Sequence, residues 1–174
     1  MPTLTNQSNI ANDISNNNES TAIYDSGYIL GKHDPECIAA KILLNAKITQ
    51  LPVNLYQIVD SIKMTISEHR DPDDSDDVMG TVKHSEIILN PDYPNQRFAL
   101  AFILGDIARP DITQDYPDWP SDVTKWLTHI ALAILMPKQQ FMEKYNSGEP
   151  YENIAADFDV TDEDFGHRLD TLNL

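Results

Sequence analysis

Residues 97–109 read Arg-Phe-Ala-Leu-Ala-Phe-Ile-Leu-Gly-Asp-Ile-Ala-Arg. Wound into a helix, this stretch is apolar on almost every face, so a folded domain has to wrap round it. It is the expected central helix, buried and dry, with Asn95 as its cap and Pro110 enforcing its end. Asp106 is the one carboxylate inside it. A buried carboxylate without a partner is costly, so Asp106 is expected to hydrogen-bond to nearby backbone or to Arg109. With 174 residues and 41% hydrophobic content, the chain can bury one substantial core and is expected to form a single domain.

The remaining totals exclude more than they identify. No apolar run approaches the roughly 20 residues that span a bilayer, and the first residues lack the basic flank and apolar stretch of a secretory signal. A soluble, cytoplasmic protein with no membrane contact is expected. A single cysteine, Cys37, excludes an internal disulfide and a Cys-x-x-Cys metal knuckle, and its ordinary role is that of a small core hydrophobe. The formal charge of -16 repels phosphate backbones, so direct nucleic-acid binding is not expected and a basic partner is. The same acidity serves solubility alone, or an acidic mimic of DNA that occupies a basic groove.

Residues 1–26 are rich in Asn, Ser and Thr, a composition too polar to offset the entropy of ordering, and are read as a flexible tail before a domain over 27–174. Asp34 caps a first helix with Pro35 at its first position, running to about Ala46, with Ile38, Ala39, Ile42, Leu43 and Ala46 on one face. Asn54 caps a second helix through Leu55, Ile58, Val59 and Ile62. Beyond Lys63 the period shortens to that of a strand around Met64 and Ile66, then again around Val78–Val82 and Glu86–Leu89. These three are expected to form a small antiparallel sheet. Between them, Asp71–Asp77 has the aspartate density of a calcium loop, but its sixth and twelfth positions hold Asp76 and Val82 where Gly and Glu are required, so a solvated turn is expected.

After the central helix, a Pro- and Asp-rich loop, 110–120, leads to Ser121, the expected cap of a helix through Trp126, Ile130, Ala131, Ile134 and Leu135. Pro137 ends that helix and opens another containing Phe141, Met142 and Tyr145. Two short helices follow, from Tyr151 to Phe158 and from Thr161 to Leu172, the second opened by Thr161 and Asp164 as an approximate capping box. This last pair has the look of a helix-turn-helix. Its second helix would present Asp162, Glu163 and Asp164 to a DNA groove, which opposes DNA binding and favours a packing role.

The order of these elements, with Pro52-Val53-Asn54-Leu55, Ile87-Ile88-Leu89-Asn90, Arg97-Phe98-Ala99-Leu100-Ala101, an Ile-Leu-Met-Pro ending at Pro137, and Phe158-Asp-Val-Thr161 before Arg168-Leu169, resembles the ImmA/IrrE family of metallo-endopeptidases over roughly Ile38 to Leu172. The resemblance implies an α+β, zincin-like domain, mostly helical with a small sheet. In members that cleave peptides, two histidines one helical turn apart bind zinc, the Glu between them polarises water, and a Glu on the next helix completes the set. Carried onto this chain, the first histidine becomes Phe102, the general base Ile103 and the second histidine Asp106, with the last Glu falling at about Thr124. Phenylalanine does not ligate zinc and isoleucine does not move a proton.

The resemblance therefore implies a catalytically inactive pseudopeptidase with no metal or other cofactor. It would bind another protein: a helix-turn-helix regulator, as in transcription regulation by bacterial mobile elements or phage, or a toxin or host factor. The alternative is a zinc endopeptidase with an unusual ligand set that cleaves a repressor. For that alternative Asp106, Asp122 and His129 are the candidate residual polar site, each with an ordinary structural role open to it. Trp119, Trp126 and Tyr116, with Tyr93, are candidates to line the cleft, though aromatic residues at such positions more often pack in a core. The other histidines, His33, His69, His84 and His167, share no ligand spacing.

Overall fold

Asp34 starts the first helix by accepting hydrogen bonds from the backbone N–H of Glu36 (2.8 Å) and Cys37 (3.4 Å), while Pro35 takes a position whose N–H has no helical acceptor. The structure, a computed structural model, describes residues 34–69, 78–109 and 122–174. The expectations for the tail, the 71–77 turn, the 110–120 loop, Ser121, Tyr116, Trp119 and His33 lie outside the described residues. The elements run α1 (Pro35–Asn45), α2 (Leu55–Ser61), β1 (Thr65–Glu68), β2 (Gly80–Lys83), β3 (Glu86–Leu89), α3 (Gln96–Ile107), α4 (Val123–Leu135), α5 (Lys138–Tyr145), α6 (Tyr151–Phe158) and α7 (Asp162–Leu172). The architecture is α+β, mostly helical with one three-stranded sheet.

Side-chain caps set most of the helix starts. Asn54 accepts from Gln57 N, Asn95 from Phe98 N and Asp122 from Lys125 N; for α4 the cap is thus Asp122, one residue after the expected Ser121. Thr161 and Asp164 form the expected capping box. Both α5 and α6 begin directly after a proline, Pro137 and Pro150, without a side-chain cap.

The sheet is mixed, which corrects the antiparallel expectation. Its order is β1-β3-β2: β3 pairs with β2 antiparallel and with β1 parallel, Ile66 opposite Ile87 and Glu68 opposite Leu89. Burial explains the order. Ile87 and Leu89 on β3 are fully buried and alternate with half-buried neighbours, whereas β2 is largely exposed, so β3 takes the centre and β2 an edge. Gly80 lets β2 meet its neighbours closely, because a Cβ there would stand 2.5 Å from Ile88 O.

A second correction concerns the hub of the core. The helix that the others pack round is α4, whose Trp126, Leu127 and unbroken run Ile130 to Leu135 are buried and which rests on α1, α3 and α7. Helix α3 is buried along Ala99, Leu100, Ala101, Ile103, Leu104 and Gly105 only. Its overall apolarity concealed a face that is half open. Trp126 is one of the buried core residues on α4, so it does not line a cleft. Among the described residues, no helix is long and apolar enough to cross a membrane.

Candidate functional site

The α3 positions singled out by the sequence fall into two environments. Gly105 faces α4 so closely that an added Cβ would stand 3.0 Å from Ile130 Cγ2 and 3.9 Å from Leu127 Cδ2. Ile103 is buried against the sheet near Gly80. Phe102 is half-buried, its ring 6.1 Å from that of Phe98. Asp106 lies on this open side with 45% of its side chain exposed, and its carboxylate stands 3.2 Å from Arg109 Nε. The expected partner is therefore present, but the expected burial is not. An exposed pair at i,i+3 contributes at most about 1 kcal/mol.

Asp122, Thr124 and His129 do converge. All three line a cleft of about 720 Å³ between α4 and α7, together with Lys125, His167 and Asp170. Asp106 does not line it, so the three residues of the candidate polar site are not brought to one place. Thr124 is exposed and lines the cleft between α4 and α7. Among the described residues no group of three or more His, Cys, Asp or Glu side chains is placed to hold a metal ion. The His129 imidazole is held below its ordinary pKa, first by burial and then by the cations of Lys125 and Arg168, with Glu36 and Asp34 opposing. Of the other described histidines, His167 stands 3.7 Å from Glu163 one turn away on α7.

Two arginines, so far named only within motifs, organise the polar chemistry. Arg168 is fully buried. Its Nε donates to Met136 O (3.0 Å) at the end of α4, its Nη2 to Glu36 Oε2 (3.0 Å) and its Nη1 to Glu36 Oε1. The guanidinium also stands 6.0 Å from the Phe141 ring centroid. A signal existed: Phe165, Arg168, Leu169 and Leu172 follow one helical stripe, so Arg168 sits on the apolar face of α7.

Arg97 is the second. Its Nη2 donates to Val53 O (2.9 Å) and Phe158 O (3.4 Å), and Asp159 Oδ2 stands 3.5 Å from its Nε. That last approach is an ion pair without hydrogen-bond geometry, since Nε is buried and makes no hydrogen bond among the described residues. Burial lowers the Arg97 pKa and Asp159 partly restores it. The neighbouring Gln96 donates from Nε2 to Asn90 O and Tyr93 O, while among the described residues its buried Oε1 has no hydrogen-bond partner. Both residues line a cavity of about 400 Å³ bounded by α2, the ends of β1 and β3, and Asp159.

The acidic start of α7 is divided in the same way. Asp162 and Glu163 are exposed. Asp164 is buried and accepts from Asn95 Nδ2 (2.8 Å) and Thr161 Oγ1 (2.8 Å), which ties the helix-turn-helix-like pair to the start of α3. Carboxylates here also sit favourably at a helix N-terminus. Compared with known proteins, the chain matches no family model, no curated protein and no solved structure.

Proposed function

We propose that this chain is a protein-binding domain of the ImmA/IrrE-like, zincin-like kind that holds a basic polypeptide without cleaving it. The observation that carries the reading is the chemistry of α3. The positions that would supply two zinc ligands and a general base are Phe102, Asp106 and Ile103, and Ile103 is sealed in the core. Neither a phenyl ring nor an alkyl chain ligates a metal or moves a proton. Asp106 is paired with Arg109 and stands apart from the Asp122 and His129 cleft. The charge of -16 favours encounter with a basic partner, and a helix-turn-helix regulator presents such a surface.

The test is to incubate the full chain with a panel of basic helix-turn-helix domains at physiological salt, with and without added Zn²⁺. The expected result is a salt-sensitive complex in which both chains stay intact. Absence of any complex would overturn the reading, and so would zinc-dependent cleavage that disappears in Asp106→Ala.

A further inference from the structure

The outer face of α7 breaks the local rules of a helix without a packing reason. The side of α7 that meets the core is Asp164, Phe165 and Arg168. At about 100° per residue the opposite arc carries Asp162, Glu163, Gly166, His167 and Asp170. Gly166 stands in the helix interior, where glycine is among the weakest helix formers. Yet a Cβ there would meet nothing within 4 Å, so among the described residues no close approach requires the glycine. Asp162 and Glu163 sit in the first turn, where the helix dipole favours them; Asp170 sits in the last, where the dipole opposes it and no basic residue offsets it. Among the described residues the side chains of Asp162 and Asp170 enter no ion pair, and Glu163 meets only His167. Positions that break a local rule with no gain to the fold are where function is to be sought.

The face is firmly held and borders a cleft. Arg168 fixes α7 to Glu36 on α1 and to Met136 at the end of α4, and Asp164 fixes its start to Asn95. On one flank, His167 and Asp170 pass into the cleft of about 720 Å³ whose far wall is Thr124, Thr128 and His129 of α4. Lys125 is the cation of that lining, against Asp122 and Asp170.

We propose that the outer face of α7, with the cleft beside it, docks a basic α-helix of a partner protein, with Gly166 at the point of closest approach. Charge and shape select this occupant together. From Asp162 to Asp170 the carboxylates span roughly 12 Å along the axis, a length that cations at i, i+4 and i+7 of a second helix match. Between them Gly166 leaves a gap. The distance between packed helices is set by the side chains at their contact, and a glycine brings it to the short end of the range, about 8 Å. A nucleic acid is repelled by this face, and a second copy would bring another strongly acidic chain against it. The inference rests on the reading of the chain as a binder of basic polypeptides, and names where such a partner docks.

The experiment is an NMR titration of the full chain with a capped alanine-based peptide of about 20 residues, long enough to be helical, carrying arginines at i, i+4 and i+7. A peptide of the same composition with its arginines spread round the helix serves as comparison. Expected are saturable shifts at the amides of Glu163, Gly166, His167 and Asp170, with the spread peptide binding about tenfold more weakly because it sets fewer cations against the face. Gly166→Leu should raise the urea midpoint, since leucine is the better helix former and projects into open space. It should nonetheless weaken the peptide about tenfold by holding the two helices apart. Asp170→Lys should likewise steady the helix and weaken binding about tenfold, while Asp60→Asn on α2 leaves binding unchanged. A chain that gains stability and loses its ligand has not lost it by misfolding. Wild-type binding by Gly166→Leu and Asp170→Lys, equal binding of the two peptides, or shifts of the α7 amides on dilution of the free chain, which mark a second copy as the occupant, would each overturn the proposal. If the peptide saturates α7 but no helix-turn-helix domain binds, the functional reading fails and the site stands. If a domain binds and Gly166→Leu leaves that complex unaltered, the site fails and the reading stands.

Discussion

Arg168 and Arg97 are both held among helices, yet they are opposites. Arg168 is fully buried, and the carboxylate of Glu36, the carbonyl of Met136 and the hydroxyl of Thr171 take up its donors. Arg97 keeps about a quarter of its side chain exposed, spends Nη2 on two carbonyls and, among the described residues, leaves Nε without a hydrogen bond. A buried charge with its partners satisfied specifies structure; it ties α7 to α1 and to the end of α4. A charge that stays partly in water and near an exposed carboxylate ties the start of α3 to Val53 and to the end of α6 less tightly. Chemistry of the same type thus makes a closed fastener in one place and a half-solvated tie in the other.

The largest effect should come from breaking the fastener. Arg168→Met removes one half of a buried ion pair and strands Glu36, whose side chain is only 17% exposed. Losses of about 3 kcal/mol follow from such a change. Urea unfolding measures it, and a loss under about 1 kcal/mol would make Arg168 no different from a surface pair. Replacing both partners, Arg168→Met with Glu36→Leu, should recover much of the stability, since the uncompensated charge is then gone.

Next in size is the seam between α3 and α4. Gly105→Leu forces a side chain into the contact with Ile130 and Leu127 and should cost about 1–3 kcal/mol by overpacking. Gly105→Ala should be close to neutral, because a helix-propensity gain of about 1 kcal/mol opposes a Cβ that would stand 3.0 Å from Ile130 Cγ2. If the leucine were tolerated freely, the seam would have room for a ligand and the contrast between a closed seam and an open Arg97 cavity would dissolve.

What could be read in advance divides along the same line. Asp34 with Pro35, Asn54, Asn95 and the Thr161 and Asp164 box were legible because a cap and its acceptors lie within a few residues. The order of the strands was not. Alternating hydrophobicity marks Ile87 and Leu89 as buried but does not say which neighbour runs parallel. The hub role of α4 was missed because α3 is apolar on more faces, though it is the partner surfaces that decide burial. Arg168 meets Glu36 across 132 positions of sequence, and Arg97 meets Asp159 by way of a left-handed turn at the end of α6. No local pattern encodes either meeting. For the candidate site, Asp122 and His129 line one cleft and Asp106 does not, and sequence spacing alone does not say which faces of α3 and α4 meet.

Arg97→Gln should be milder than Arg168→Met. It removes the bonds to Val53 O and Phe158 O, but leaves a carboxylate, Asp159, that water already reaches. A loss of about 1 kcal/mol is expected, the net value of an ordinary hydrogen bond or slightly more. Urea unfolding beside Arg168→Met tests the ranking directly. Equal losses would mean that Arg97 is as structural as its counterpart.

The smallest effect reads the charge of the fastener from a distance. His129 sits below its ordinary pKa of 6.5 because of burial first, then Lys125 and Arg168. The sign follows from linkage. Above pH 6.5 neither the folded nor the unfolded chain is protonated at this histidine, and nothing is lost. As pH falls through 6.5 the unfolded chain takes up its proton first, so stability declines until the folded-state pKa is also passed. The decline is small because His129 is only half-buried and nearby carboxylates oppose the cations, and His129→Gln should remove that part of the pH slope in urea unfolding. The cause can be isolated by following the imidazole itself. Lys125→Gln should move the His129 titration upward in NMR without disturbing the core. Arg168→Met should also move it upward, though less than Lys125→Gln, because Lys125 lowers this group more than Arg168 does. An unchanged titration in Arg168→Met would mean that the Glu36 and Arg168 pair is electrically closed, with no field reaching the α4 and α7 cleft.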